Sequence, residues 1–269
     1  MSSEVLRLSQ QGPVATVTLN RPEVRNALNA ELIMALRDTF LGLAKDPSVR
    51  VVVLDAEGPV FCAGGDLHWM KASLNASAAE NLADSQNLAA MFMAIYDCPK
   101  PVIAKIQGDA FGGGCGLVAV CDIAVASKDA RFCFSEVKLG LVPAVISPYV
   151  LAKIGPGKAR RYFLTAEIFN AKSARKMGLI HENIKSDDAA LDDWVQTFCD
   201  DLLRNGPEAM TATKQLIDTV PQMPWQEALA YTPKLLAERR VSAEAQEGMK
   251  AFFEKRSPAW WMSAEPAKV

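Results

Sequence analysis

The sequence predicts an α/β protein wound around parallel sheets, and three observations carry that expectation. Two short apolar runs, Val51-Val52-Val53-Leu54 and Pro101-Val102-Ile103-Ala104, have the length and branched content of buried strands. Each leads into a glycine-rich stretch and then a helix-compatible run. The stretches are Phe61-Cys62-Ala63-Gly64-Gly65-Asp66-Leu67 and Gly108-Asp109-Ala110-Phe111-Gly112-Gly113-Gly114-Cys115. The two units stand roughly fifty residues apart without an exact repeat, the mark of ββα winding with parallel sheets.

The elements follow in order. Val14–Leu19 alternates weakly and reads as a strand, with residues 4–10 pairing to it as a hairpin across Gln11-Gly12-Pro13. Asn29 caps a helix whose Leu32, Leu36, Phe40 and Leu43 recur at three- and four-residue steps, and Asp46-Pro47 ends it. Val51–Asp55 is a short buried strand. Residues 67–73 and 78–97 read as helices, and Pro99 and Pro101 close that region before a strand over 102–106. Cys115–Val120 reads as a buried helix and Asp122–Ala126 as the next strand. Beyond about residue 186 the pattern becomes almost wholly helical, over 187–205, 207–219, 224–239 and 243–255, punctuated by Pro207, Pro221 and Pro224. This gives a core over 1–186 and a helical region over 187–269. Such a layer packs on a neighbour or on another subunit. Phe252, Phe253, Trp260 and Trp261 either complete the chain's own core or supply that contact.

Composition narrows the function. Half of the 269 residues are hydrophobic, the formal net charge is −2 and the pI is about 5.8. That balance gives no global pull toward nucleic acid or an anionic membrane. Six cysteines occur without a CxxC pair, which points away from a zinc site or redox dithiol and fits a reducing compartment. Met1–Pro13 lacks the apolar core of a secretory signal, and no apolar run approaches a membrane span. The expectation is a soluble cytoplasmic protein without a metal.

The glycine stretches and one acid suggest chemistry. A glycine turn at a strand end lets a backbone N–H approach a ligand closely. Two such N–H groups from separate loops make an oxyanion hole. An acid facing them, Glu136 of Ser135-Glu136, can move a proton at the carbon beside the polarised carbonyl. This reads as thioester chemistry. The plainer reading of Glu136 is a cap or salt bridge. Asp66 is better read as a helix cap than as a catalyst. His68 and His181 read as surface or packing residues, Cys62 and Cys115 as small packing residues, and Arg160 and Arg161 as a solvated helix face. Met70, Met91 and Met93 read as core filling.

These residues resemble the crotonase family, the enoyl-CoA hydratase/isomerase superfamily, along nearly the whole chain. Asn20-Arg21-Pro22 with Asn26-Ala27-Leu28 resembles its N-terminal signature. Phe61–Leu67 resembles its first oxyanion loop. Ile106-Gln107-Gly108 through Gly112-Gly113-Gly114 and Cys121-Asp122 resembles its second. Phe134-Ser135-Glu136 with Leu139-Gly140 and Pro143 resembles its catalytic glutamate segment, and Ala251–Arg256 its C-terminal coenzyme A element. The resemblance implies a spiral of ββα turns with a C-terminal helical trimerisation region, assembled as trimers or dimers of trimers. It implies Ala63 and Gly113 N–H as the oxyanion hole and Glu136 as the catalytic acid. Arg25, Ala27, Ala63, Asp66, Leu67 and Gly113 match positions that bind the coenzyme A ester. Phe252 and Lys255 match residues that reach the nucleotide from an adjacent subunit. Coenzyme A enters as part of the substrate, so no separate cofactor is implied.

Two departures refine the resemblance. Two-glutamate hydratases carry an acid two residues after the glycine triplet, where this chain has Gly116. The segment Leu139–Tyr149, with its Pro-Ala-x-Ile-x-Pro pattern, resembles hydratases of branched glutaconyl-CoA esters such as 3-methylglutaconyl-CoA or isohexenylglutaconyl-CoA, of leucine and acyclic terpene breakdown. The implied function is a hydro-lyase on a 3-branched glutaconyl-CoA with a single glutamate. The alternatives are a Δ3,Δ2-enoyl-CoA isomerase, which needs one acid, or another acyl-CoA hydratase of the superfamily. RNA binding, known for a relative in that branch, fits poorly with an acidic pI and no basic aromatic stripe.

Overall fold

The computed structural model describes residues 5–185 and 188–262. Strands β1 (Leu6–Gln11) and β2 (Val14–Leu19) form the expected antiparallel hairpin. Helix α1 (Ala30–Lys45) starts where Asn29 accepts a hydrogen bond from Leu32 N. Its buried stripe is Leu32, Ile33, Leu36, Phe40 and Leu43, one face of a 3.6-residue period.

Each turn of the winding then gives one strand to each of two sheets. The pairs are β3 (Val51–Ala56) with β4 (Val60–Cys62), β5 (Val102–Ile106) with β6 (Asp109–Phe111), and β7 (Ile123–Ser127) with β8 (Arg131–Cys133). Two later strands, β9 (Phe169–Asn170) and β10 (Glu182–Ile184), complete them. One sheet runs β1-β2-β3-β5-β7-β10 and is parallel from β2 onward. The other runs β4-β6-β8-β9 and is parallel except at β9. The helices between them are α2 (Leu67–Ser73), α3 (Ala78–Tyr96), α4 (Gly113–Val120), α5 (Ser147–Thr165) and α6 (Ala171–Met177).

Strands β3, β5 and β7 of the larger sheet are apolar on both faces because both are covered. Val52, Leu54, Val102, Ala104, Ala124 and Ala126 face the main core with α1, α3 and α4. The alternate residues Val51, Val53, Ile103 and Val125 meet Leu191, Val195, Cys199 and Leu203 of α7 (Asp188–Leu203). The continuous runs in the sequence are therefore two alternating faces, each with its own cover.

Among the described residues no strand follows β10. Helices α8 (Pro207–Thr219), α9 (Trp225–Arg240) and α10 (Ala243–Glu254) follow α7. The Glu244 carboxylate accepts the Glu208 and Ala209 amides at 2.8 Å each, supplying negative charge to the N-terminus of α8. Phe252 and Phe253 are 78% and 81% exposed, so they do not complete the chain's own core. Trp260 is half-buried, and Trp261 is exposed. The expected boundary at 186/187 falls outside the described residues. No helix among the described residues is long and apolar enough to cross a membrane.

Candidate active site

The first glycine loop is held by the segment before α1. Asn26 is fully buried with φ 54°. Its amide donates to the carbonyls of Glu57 (2.9 Å) and Val60 (2.8 Å) and accepts from Arg21 N at 2.8 Å. A left-handed backbone is tolerated by asparagine better than by most residues. Arg21 reaches the Ala27 carbonyl through Nη1 at 2.5 Å and Asp66 through Nη2 at 2.9 Å. Asp66 also caps α2, accepting from His68 N at 2.8 Å and Trp69 N at 3.4 Å. Burial alone would raise its carboxyl pKa, but these hydrogen bonds and the Arg21 charge outweigh that and lower it. Asp66 is thus a cap and clamp.

The amides of this loop are nearly all occupied. Ala63 N donates to Arg25 O at 3.0 Å, Leu28 N to Gly64 O at 2.7 Å, and Asp66 N to Leu28 O at 2.9 Å. The Gly64 amide lies on the Cys62 sulfur. Gly65 N–H has no acceptor among the described residues, while Gly64 N–H has the Cys62 sulfur beside it. This corrects the expectation for Ala63. Its N–H is already spent on Arg25, and the free donor lies two residues later.

The second loop abuts the first. Gly64 has φ 94°, and a Cβ there would stand 2.9 Å from Phe111 O and 3.7 Å from Gly112 Cα. Only glycine allows that approach. Gly112, with φ 50°, donates its amide to Cys133 O at 2.8 Å. Gly113 opens α4, and its amide has no acceptor among the described residues, as expected of the first helical N–H. Every residue of α4 after Gly113 is buried. At the other end Lys153 Nζ donates to Cys121 O at 2.6 Å and Val118 O at 3.4 Å, placing a cation at the negative end of the helix. Burial pulls the Lys153 pKa down.

Glu136 begins a 3₁₀ turn (Glu136–Leu139) directly after β8 and Phe134, and Gly140 at φ 71° ends it. A Cβ on Gly112 would stand 3.5 Å from Glu136 Oε1, so the carboxyl faces the second loop. Oε2 is buried without a hydrogen-bond partner, and no cation pairs with Glu136 among the described residues. Burial raises its pKa, offset in part by its own backbone N–H. The salt-bridge reading of Glu136 therefore finds no partner among the described residues, and of the cap reading only the contact with its own backbone N–H remains. A desolvated carboxyl without a cation, facing the second glycine loop, is an arrangement suited to proton transfer.

The place of a second acid is closed. A Cβ on Gly116 would come within 2.8 Å of Phe92 Cζ and 2.9 Å of Phe92 Cε1, and closer still to Ile146 Cγ2. Both are buried core residues.

A pocket of about 530 Å³ lies in front of the first loop and brings together Arg25, Ala27, Ala63, Asp66 and Leu67. Gly65, His68 and Phe111 also line it, and His68 is exposed there. Phe252 and Lys255 do not line it. They sit at the end of α10, where Lys255 takes φ 54° as the C-cap. His181 packs with Nδ1 accepting the Ala124 amide at 3.1 Å. Arg161 pairs with Glu167 on an exposed face, and Met91 is fully buried while Met93 is exposed. Sequence reasoning missed Gly65, the Asn26 clamp, and the Phe92–Ile146 pair. Asn20-Arg21-Pro22 and Asn26 were visible signals, but nothing local marks which amide of the loop stays free.

Comparisons with known proteins identify the family. The profile of the family described as "Enoyl-CoA hydratase/isomerase" matches residues 9–263. A crystal structure of an enoyl-CoA hydratase from Shewanella pealeana superposes with a TM-score of 0.92 at 42% identity, covering 95% of this chain and 96% of that one. The 2,3-dehydroadipyl-CoA hydratase of Escherichia coli K12 is 32% identical over 94% of this chain and 97% of its own. The (E)-benzylidenesuccinyl-CoA hydratase of Thauera aromatica is 32% identical over 92% of this chain and 95% of its own. The chain therefore belongs to the enoyl-CoA hydratase/isomerase family and is an enoyl-CoA hydratase-type lyase.

Proposed function

We propose that this enzyme hydrates a 3-branched glutaconyl-CoA such as 3-methylglutaconyl-CoA or isohexenylglutaconyl-CoA, using one glutamate. The observation that carries the reading is the lone buried Glu136 carboxyl beside Gly112, with the second-acid position filled by Phe92 and Ile146. The thioester oxygen accepts the Gly65 and Gly113 amides, which makes C3 electrophilic and stabilises the enolate. Glu136 deprotonates the water that adds at C3 and then returns the proton to C2, so one carboxyl serves both steps on one face. Two relatives are named for acyl groups derived from dicarboxylic acids, dehydroadipyl and benzylidenesuccinyl, which supports a second carboxylate on the substrate.

In the same reading Arg25, Ala27, Asp66 and Leu67 border the coenzyme A groove, and Phe252 and Lys255 reach the nucleotide of an adjacent subunit. The exposed Trp225, Leu229, Phe252 and Phe253 of the helical region 187–269 supply apolar surface for a trimer or a dimer of trimers. The single acid also favours a second reading, a Δ3,Δ2-enoyl-CoA isomerase moving a proton between C2 and C4. Incubating the purified protein with crotonyl-, 3-methylglutaconyl- and isohexenylglutaconyl-CoA separates them. Hydration bleaches the conjugated thioester absorbance of a glutaconyl ester. An isomerase leaves it and instead creates it from a 3-enoyl ester.

A further inference from the structure

Five buried side-chain polar atoms among the described residues lack a hydrogen-bond partner, and two of them flank the joined glycine loops. One is Glu136 Oε2, and the other is the indole Nε1 of Trp69. Of the remaining three, Arg50 and Asp55 lie outside the loops, and Gln107 stands at the start of the second loop with its amide nitrogen turned to the Ala56 and Gly58 carbonyls. Trp69 stands on α2 directly after Leu67 and His68, which line the pocket. Its ring edge, Cε3, lies 3.7 Å from the Cβ position of Gly65, the residue with the free amide, and Met70 Sδ lies 3.3 Å from the same point. The ring is anchored. Trp69 N bonds to the Asp66 cap, Asp66 is held by Arg21, and the side chain packs against the main core. Trp69 thus abuts Gly65, the neighbouring Gly64 abuts Gly112, and Gly112 faces Glu136, so an unpaired donor and an unpaired acceptor stand on opposite sides of the joined loops.

We infer that the Trp69 indole N–H is a specificity-determining donor for an oxygen at the distal end of the acyl group. An indole donates and never accepts, and it carries no charge at any working pH. Left buried and unpaired it is unfavourable, and an acceptor on the ligand removes that penalty. The thioester oxygen is assigned to the amides and the water to Glu136, so the acceptor is a further oxygen, and a carboxylate makes the strongest such bond. A site with a buried unpaired donor discriminates against an acyl group that lacks the acceptor. The inference rests on the acyl-CoA reading of the site and adds the contact that reads the acyl tail.

The test uses saturated thioesters, whose binding does not depend on turnover. 3-Methylglutaryl-CoA carries the distal carboxylate, and isovaleryl-CoA keeps the 3-methyl branch without it. Titration calorimetry on the full chain and its Trp69→Phe variant should show 3-methylglutaryl-CoA weakened about tenfold by the variant. Isovaleryl-CoA should bind both proteins alike. Equal weakening of both ligands, or of neither, overturns the inference, because it leaves Trp69 a packing residue. Should the variant fail to fold, the Nε1–H resonance of Trp69 in ¹⁵N-labelled wild-type protein decides. It should move downfield with 3-methylglutaryl-CoA and not with isovaleryl-CoA, and an unmoved resonance overturns the assignment. A protein that hydrates no glutaconyl ester yet shows this contrast loses the hydratase substrate and keeps the Trp69 contact, so the two failures are distinguishable.

Discussion

A methyl group added at Gly116 has nowhere to go. The new Cβ would meet Phe92 at 2.8 and 2.9 Å and press harder on Ile146, and both neighbours are packed on all sides. Contacts inside about 3.0 Å lie well short of the 3.5–4.0 Å optimum for carbon pairs, so something must shift. Overpacking of this kind costs about 2 kcal/mol. At about 2–4 °C per kcal/mol for a chain of this size class, Gly116→Ala should lower Tm by about 4–8 °C. Gly116→Glu goes further, since its carboxyl would be desolvated among apolar atoms and held protonated. It should melt lower still and gain no crotonyl-CoA hydration. Scanning calorimetry with a crotonyl-CoA absorbance assay reads both outcomes. The mechanism of the loss is tested by Ile146→Ala, which removes the offending Cγ2. In the double variant Gly116→Ala/Ile146→Ala the combined loss should fall short of the sum of the single losses by about 1 kcal/mol. Strict additivity, or a Gly116→Glu protein with wild-type Tm and fast crotonyl-CoA hydration, would refute the packing argument.

Glu136→Gln should lower kcat by about 10²–10⁴-fold while leaving thioester Kd nearly unchanged, and a variant retaining a tenth of wild-type kcat would exclude the single-acid mechanism. Because burial raises the Glu136 pKa, the acid limb of kcat/KM should lie above the ordinary glutamate value, measured on a pH series. The sign for stability follows from the same shift. The native state binds the proton more tightly than the unfolded chain, so stability falls as pH rises from the unfolded to the folded pKa. Glu136→Gln should therefore be more thermostable than wild type at pH 8, with the gap closing at pH 4. Asp66→Ala removes a helix cap and strands Arg21, a change expected to cost about 3 kcal/mol, read as a fall in denaturation midpoint. Lys255→Ala should raise KM more than it lowers kcat if the nucleotide lies far from the reacting carbons, and light scattering on a chain lacking residues 242–269 should show a smaller assembly with weaker coenzyme A binding.

The winding of the fold is legible because its signals are local and repeated. Buried runs such as Val51–Leu54 and Val102–Ala104 announce strands, and Asn29 and Asp66 announce helix starts by chemistry confined to a turn or two. Strands β4, β6 and β8 are not legible. Three residues are too few for alternation to register, and their pairing is set by contacts far along the chain. The same division runs through the site. Glu136 and the glycine loops stand out because glycine clusters and a lone acid are rare enough to notice. The identity of the free amide does not, since it depends on which carbonyls come to rest opposite Ala63 and Asp66. Those partners, Arg25 and Leu28, sit more than thirty residues earlier, on a segment fixed by the buried Asn26 and by Arg21. An oxyanion hole is a remainder, the amide left after a loop has satisfied all its others. In the proposed site Gly65 holds that remainder because Ala63 N–H and Asp66 N–H are tied down on either side of it. Replacing Asn26 should then disturb catalysis without touching substrate. Asn26→Ala frees the Glu57 and Val60 carbonyls and the Arg21 amide, loosens Arg25, and lets Ala63 N–H compete with Gly65 for the thioester oxygen. The expected signature is a kcat loss of about 10²-fold, comparable to losing one oxyanion donor, with KM little changed. A variant that keeps wild-type kcat would show that the loop holds its shape without the clamp.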